Sequence, residues 1–238
     1  MNILLVNDDG YNSTGINLLK KKLEKYGKIY VMAPATPQSG ASHSFNVRGP
    51  FEVTKYSDFD YSAGSSPADC VRLATSILKV KFDVVFSGIN NGLNIGTDVF
   101  YSGTVAAARE ALIEGIPAVA ISTDTNCFKI CDLELDDILK MIFDKKLYSN
   151  KYLLNINFPI SKFEKSLGVK AAIHGKKLFK TEFIEKDNLY YVGSESISYD
   201  TLENSDVYLG IKGYTTIVPI DLDSTDYNAL NKINDIIK

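Results

Sequence analysis

The chain has 238 residues, 45% of them hydrophobic and 23% charged, and its 26 basic and 29 acidic residues leave a net charge of -3. That balance suits a soluble α/β domain with a sizeable core and shows no basic surplus of the kind that nucleic-acid binding requires. No apolar run approaches the roughly 20 residues a membrane-spanning helix needs.

Ile3–Val6 is a short continuous apolar run of the kind found in buried parallel strands. Ile16, Leu19, Leu23 and Tyr26 then recur at helical spacing with lysines opposite, and Gly27 ends that helix. The basic run Lys20-Lys21-Lys22 is the solvated face of this helix. Lys28–Ala33 is the next strand, closed by Pro34. Phe45, Val47, Phe51 and Val53 suggest a short antiparallel excursion. Pro67 suits a helix start, with Val71, Ala74, Ile77 and Leu78 facing inward. A buried strand at Phe82–Ser87, an alanine-rich helix at Val105–Glu114 and a strand at Pro117–Ser122 follow. Leu135, Ile138, Leu139 and Ile142 mark another helix, and Tyr152–Asn157 another strand.

Repeated strand–helix units predict a Rossmann-like α/β domain over residues 1–160, with a mostly parallel sheet and helices on both faces. Beyond residue 160 the chain is richer in Lys, Tyr and Thr. Hairpin-like segments are expected near Val169–Ile173, Lys177–Ile184 and Leu189–Gly193. Tyr208–Ile220 follows, and then a terminal helix with apolar spacing at Leu230, Ile233 and Ile237. Residues 161–238 are therefore expected to form a C-terminal extension of β-hairpin and helix, packed on the same domain and used for self-association.

The chemistry concentrates in four loops, each just after a predicted strand: Asn7-Asp8-Asp9-Gly10, Pro34–Ser44, Ser87–Gly96 and Tyr101-Ser102-Gly103-Thr104. Loops that follow parallel strands converge on one sheet edge, so these distant segments should meet. Asp8 and Asp9 offer hard oxygen donors, and the Ser39 hydroxyl and the Asn90 side-chain oxygen would extend the set. An oxygen-only set favours Mg²⁺, Mn²⁺ or Ca²⁺ over zinc or copper. Ser102-Gly103-Thr104 at a helix start presents free N–H groups to an anion, and His43 is a candidate acid or base. The glycine–asparagine loop is neither a Walker A loop nor a dinucleotide fingerprint. Cys70, Cys127 and Cys131, an odd count with no signal-peptide pattern ahead of them, suggest reduced thiols and a cytoplasmic protein. A non-catalytic Mg²⁺-nucleotide-binding module would use the same loops.

With these blocks in view, the sequence resembles the SurE family of survival-protein 5′-nucleotidases. The matching stretches are Ile3–Gly10, Ser39–Ser44, Pro67–Val71, Ser87–Gly96 and Tyr101–Thr104, with Gly213-Tyr214 and Pro219 similar to the family's closing strand. The resemblance implies a divalent-metal phosphomonoesterase acting on nucleoside 5′-monophosphates, with 3′-nucleotides and short polyphosphate as further substrates in view. It implies one cation per subunit, Mg²⁺ or Mn²⁺, on Asp8, Asp9, Ser39 and Asn90. Catalysis falls to Asp8 and Asp9, and substrate contact to Asn94, Ser102, Gly103, Thr104 and His43. It also implies a homodimer or homotetramer. Ala35 stands where the family usually has an aspartate, and Ser65-Ser66 replaces the usual Gly-Thr.

Overall fold

The computed structural model describes residues 1–199 and 201–237. The first apolar run forms β1 (Asn2–Val6), which pairs in parallel with β2 (Lys28–Pro34) on one side and β5 (Val84–Asn91) on the other. β4 (Asp60–Ala63) lies parallel to β2, and β3 (Val53–Lys55) edges it antiparallel. Beyond β5 come β6 (Ala118–Thr123) and β7 (Leu153–Asn157), both parallel. β11 (Thr215–Ile220) then adds antiparallel to β7, and β8 (Val169–Ala171) closes the sheet. The nine strands run β3-β4-β2-β1-β5-β6-β7-β11-β8.

Two buried clusters cover the two faces of this sheet. One is built from α1 (Thr14–Leu23) and α4 (Lys129–Asp144), which contribute Ile16, Leu19, Leu23, Ile130, Leu135 and Ile138. The other is built from α2 (Pro67–Ile77) and α3 (Gly103–Ile113), which contribute Cys70, Val71, Ala74 and the small alanines of α3. The side-chain pattern explains the division. β1, β5 and β6 are buried on both faces and are apolar throughout their inner lengths, as a doubly covered sheet demands. Each helix instead carries one apolar stripe.

From β1 the chain winds outward through β2 to β4, then returns to β5 and winds the other way. The strand order therefore reverses between β1 and β5. Their following loops part there and leave a crevice, the place where open α/β sheets bind ligands.

Several expectations need correcting. The excursion at Phe45–Lys55 is irregular except for β3, and its partner β4 was not foreseen. Val169–Ile173 makes no hairpin, because β8 pairs in parallel with β11. Tyr208–Ile220 divides into α5 (Asp206–Ile211) and β11, separated by the positive-φ Gly213. The long hairpin is β9 (Lys177–Lys186) with β10 (Leu189–Tyr199), turning at Asp187-Asn188. Both turn residues adopt positive φ, which Asn and Asp tolerate best among side-chain-bearing residues. Residues after 160 thus supply strands to the main sheet as well as the hairpin and α6 (Tyr227–Ile236). Among the described residues no helix is long and apolar enough to cross a membrane.

Gly15 shows how tightly α1 sits on the sheet. A Cβ there would lie 1.9 Å from the Ile89 carbonyl oxygen. Gly15→Ala is therefore expected to cost about 1–3 kcal/mol and to lower the thermal midpoint by roughly 2–10 °C. Thermal unfolding followed by circular dichroism checks it, and an unchanged midpoint would contradict the close packing.

Candidate active site

The tip of β1 is turned outward by its own polar side chains. The Asn7 amide nitrogen donates to the Gly10 carbonyl (2.9 Å) and to the Ser13 hydroxyl (2.7 Å), while Ser13 caps α1 by accepting from the Ile16 N–H. Gly10 turns with φ of 98°, which favours glycine. Asp8 and Asp9 are thereby held at the mouth of the crevice. The Thr104 hydroxyl donates to Asp8 Oδ1. The Asn91 N–H donates to Asp9 Oδ2 at 2.9 Å.

Gly103 permits the first of these contacts. A Cβ there would meet the Asp8 Cβ at 2.9 Å, Asp8 Oδ2 at 3.1 Å and Pro67 Cγ at 3.0 Å. The start of α3 can thus press against the carboxylate only because position 103 has no side chain. Ser102 caps this helix by accepting from the Val105 N–H at 3.0 Å. The helix dipole favours negative charge at that end, where the Asp8 carboxylate sits.

Asp8, Asp9, Ser39, Gly40, Asn90, Asn94 and Ser102 line one cavity of about 510 Å³. Thr104 and Gly103 stand behind Asp8 and are buried. Asn94 is locked in place. Its N–H donates to Asn157 Oδ1 (2.8 Å), its side chain to the Ser122 hydroxyl (2.9 Å), and its carbonyl accepts from Asn155 and Asn157. The Asn90 amide nitrogen is committed to the Gly92 carbonyl at 2.7 Å, which leaves its oxygen as the remaining donor atom.

His43 departs from expectation. It does not line the cavity, and its Nε2 instead meets Glu110 Oε2 at 2.7 Å. Its loop follows a path along α2 and α3, and no periodicity in the sequence indicates that path.

The cavity also contains groups that sequence reasoning did not single out. Asp98, Asp124, Lys177 and Tyr199 contribute to its wall, and Lys177 Nζ pairs with Asp98 at 2.7 Å. Lys177 and Tyr199 are the two ends of the β9–β10 hairpin, so long-range folding alone brings them here. Asp206 joins the C-terminal segment to the site. It is fully buried and accepts from the N–H groups of Gly96 (3.1 Å) and Gly175 (2.9 Å). The Asp206 at the start of α5 carries no sequence signal beyond a helix-cap pattern.

Electrostatics argue for a cation. Four carboxylates, from Asp8, Asp9, Asp98 and Asp124, face one lysine that is already paired. Burial pushes the Asp8 carboxyl up from 3.8 to about 6, against the lowering effect of the Thr104 hydrogen bond and with a further push from Asp9. Burial likewise raises Asp9. A phosphate ester would be repelled by this lining unless a divalent cation offset it. Two adjacent carboxylates with neutral Ser and Asn oxygens fit a hard cation that keeps open positions.

The chain matches the family model described as "Survival protein SurE" over residues 3–181. It is 36% identical to the 5′-nucleotidase SurE of Mannheimia succiniciproducens, covering 99% of this chain and 98% of that one. It is 39% identical to the 5′-nucleotidase SurE of Campylobacter jejuni, covering 99% and 97% respectively. The crystal structure of the SurE protein from Aquifex aeolicus superposes with a TM-score of 0.84 at 32% identity, covering 100% of both chains.

The raised Asp8 carboxyl has a consequence for stability. Its folded value lies above its unfolded one, so stability is lost as pH rises from about 4 to 6, and the loss persists at pH 7. Asp8→Asn is therefore expected to stabilise the metal-free protein at pH 7 by about 2–3 kcal/mol, or roughly 4–10 °C in thermal midpoint. The gain should shrink through pH 4 and vanish by about pH 3, where the aspartate is neutral in both states. Melting curves in chelator across that range check it, and a lower midpoint for the variant at pH 7 would contradict the assigned burial penalty.

Proposed function

Since the chain belongs to the survival protein SurE family, we propose that the crevice between β1 and β5 hydrolyses nucleoside 5′-monophosphates to nucleoside and phosphate, using one divalent cation, Mg²⁺ or Mn²⁺. The chain is an enzyme, a phosphomonoesterase of the 5′-nucleotidase class. The observation that carries the reading is the convergence of four sequence-distant loops on one cavity lined by Asp8 and Asp9, with Asp8 against the start of α3.

Asp8, Asp9, Ser39 and Asn90 would hold the cation. When bound, it offsets the charge on the phosphoryl oxygens and restores balance to a lining rich in carboxylates. The chain's own groups then divide the remaining work. Thr104 holds Asp8 by one oxygen and so fixes the direction of the other. Ser102, the residue at the start of α3 that lines the cavity, would receive a phosphoryl oxygen, while Gly103 and Thr104 are buried behind Asp8 and act by holding it. Asn94, immobilised by Asn155, Asn157 and Ser122, borders the same space. One aspartate of the pair orients a water and takes its proton as the oxygen attacks phosphorus. The bond from phosphorus to the ester oxygen breaks, the proton taken from water passes from the aspartate to that oxygen, and the nucleoside leaves as its alcohol. The alternative, a nucleotide-binding module without catalysis, is not favoured, because the relatives matched over nearly their whole length are named as nucleotidases.

Release of inorganic phosphate from AMP and GMP tests this reading. Asp8→Asn and Asp9→Asn are each expected to reduce the rate by about 10³-fold while the circular dichroism spectrum is retained. Chelation should stop the reaction and Mg²⁺ or Mn²⁺ restore it. Full turnover after rigorous chelation, or near-normal rates in either variant, would refute it.

We also assign self-association to the C-terminal extension. The β9–β10 hairpin exposes Phe183, Ile184, Tyr190 and Val192, and α6 has no buried residue while exposing Leu230, Ile233 and Ile236. Apolar surface on this scale needs a cover, and a second copy supplies one. Sedimentation should give a dimer or tetramer, and a monomer at tens of micromolar would exclude it. The unpaired cysteines, of which Cys70 and Cys131 are buried, support a place in the reducing cytoplasm.

A further inference from the structure

Ser39 lies on an irregular, largely exposed stretch of chain between β2 and β3, and a neutral hydroxyl on such a stretch is a poor ligand unless something holds it in place. Two sets of contacts do so. On the cavity side, the Gln38 N–H donates to the Asp8 carbonyl (2.7 Å), while the Ser42 N–H and hydroxyl donate to the carbonyls of Tyr101 (3.0 Å) and Phe100 (2.6 Å). On the far side, a chain of charged groups on α2 and α3 grips the next few residues. His43 Nε2 meets Glu110 Oε2 at 2.7 Å, and Glu110 Oε1 lies 3.7 Å from Arg72 Nε. Arg72 reaches Asp69 Oδ1 at 3.1 Å, and its guanidinium lies over the Phe45 ring at 4.7 Å. Asp69 Oδ2 accepts from the Asn46 N–H at 2.7 Å and from the Ser65 hydroxyl at 2.6 Å. The Ser66 hydroxyl donates to the Ser44 carbonyl at 2.6 Å.

His43, Glu110, Arg72 and Asp69 are absent from the cavity wall. Nonetheless Asp69 and Glu110 are largely buried, at 5% and 12% side-chain exposure. Burying two carboxylates is costly unless each is paired, and here each is paired across the gap between a loop and two helices. The residues they secure, 43 to 46, follow directly on Ser39–Ser42. Because α3 also carries Thr104, which holds Asp8, one helix fixes both the carboxylate and the hydroxyl side of the same cation site.

We propose that the Glu110–His43 pair, backed by Arg72 and Asp69, is a positioning clamp that presets the Ser39 loop for the divalent cation. The proposal rests on Ser39 as a cation ligand, as in the functional reading above. It assigns His43 a role in cation affinity in place of substrate contact. The clamp acts through the loop backbone and touches neither substrate nor cation.

The test uses Mn²⁺ as the probe, with its dissociation constant measured by calorimetry and its half-saturating concentration measured in AMP hydrolysis. His43→Ala and Glu110→Gln are each expected to raise both quantities about tenfold, the usual scale for a group supporting a ligand. The rate at saturating Mn²⁺ should stay within about twofold of the original. His43→Gln, which keeps an N–H donor for Glu110, should recover most of the affinity. Amide exchange across residues 38–46 should quicken in the first two variants. His43→Ala alters a partly exposed loop residue, so it carries the test even if Glu110→Gln does not fold. Faster loop exchange with unchanged Mn²⁺ affinity overturns the clamp, since the pair would then only stiffen the fold. A lower saturated rate with unchanged affinity overturns it as well. If the unaltered enzyme bound no Mn²⁺ and released phosphate fully in chelator, the functional reading would fall and the clamp with it.

Discussion

A carboxylate withdrawn almost wholly from water, with a second one beside it, weighs against folding unless hydrogen bonds or a cation offset the charge. Asp8 is in that position at the tip of β1, and much of the surrounding structure bears on it. Thr104 supplies one hydrogen bond. Gly103 lets α3 approach closely enough to make it. Asn7, directly preceding, is tied to Gly10 and Ser13 and turns the chain so that Asp8 and Asp9 face the crevice. The residual cost is the sign of a site that trades stability for function.

Around this pair the protein combines a rigid frame with tethered loops. The parallel strands β1, β5 and β6 are buried on both faces and cannot shift without opening both clusters. The loops that leave the carboxyl ends of β1 and β5 are largely buried, and each is held by specific polar contacts. Asn155 and Asn157 on β7 lock Asn94. Asp206 secures Gly96 from a point more than a hundred residues away in the chain, and His174 Nε2 adds a contact to the Gly96 carbonyl at 2.6 Å. The segment beyond residue 160 is therefore joined to the site by buried hydrogen bonds, even though its hairpin and last helix are exposed.

That junction explains what sequence reasoning could see and what it missed. Apolar runs such as Ile3–Val6 and amphipathic spacings such as Ile16, Leu19 and Leu23 encode local structure in residue order, and they placed the main strands and helices. The β4 strand was missed because Asp60–Ala63 is short and only half apolar. β8 reads as a hairpin arm in the sequence because its true partner, β11, lies more than forty residues on. The polar density of the four strand-end loops points to Asp8, Asp9, Ser39, Asn90 and Ser102, and the family resemblance adds Asn94; these six share one cavity, while Gly103 and Thr104 of the same helix start lie buried behind Asp8. His43 shared that density, yet its side chain joins Glu110 on a helix face.

Residue order alone determined the alternation of strands and helices and the chemical character of the strand-end loops. Both depend on neighbours within a few positions, through periodicity, capping and turn preference. Only the tertiary structure decided the reversal of strand order between β1 and β5, the pairing of Lys177 with Asp98, and the reach of Asp206 to Gly96. Those features are settled by which distant surfaces bury one another, and burial is a property of the assembled core that no local pattern carries.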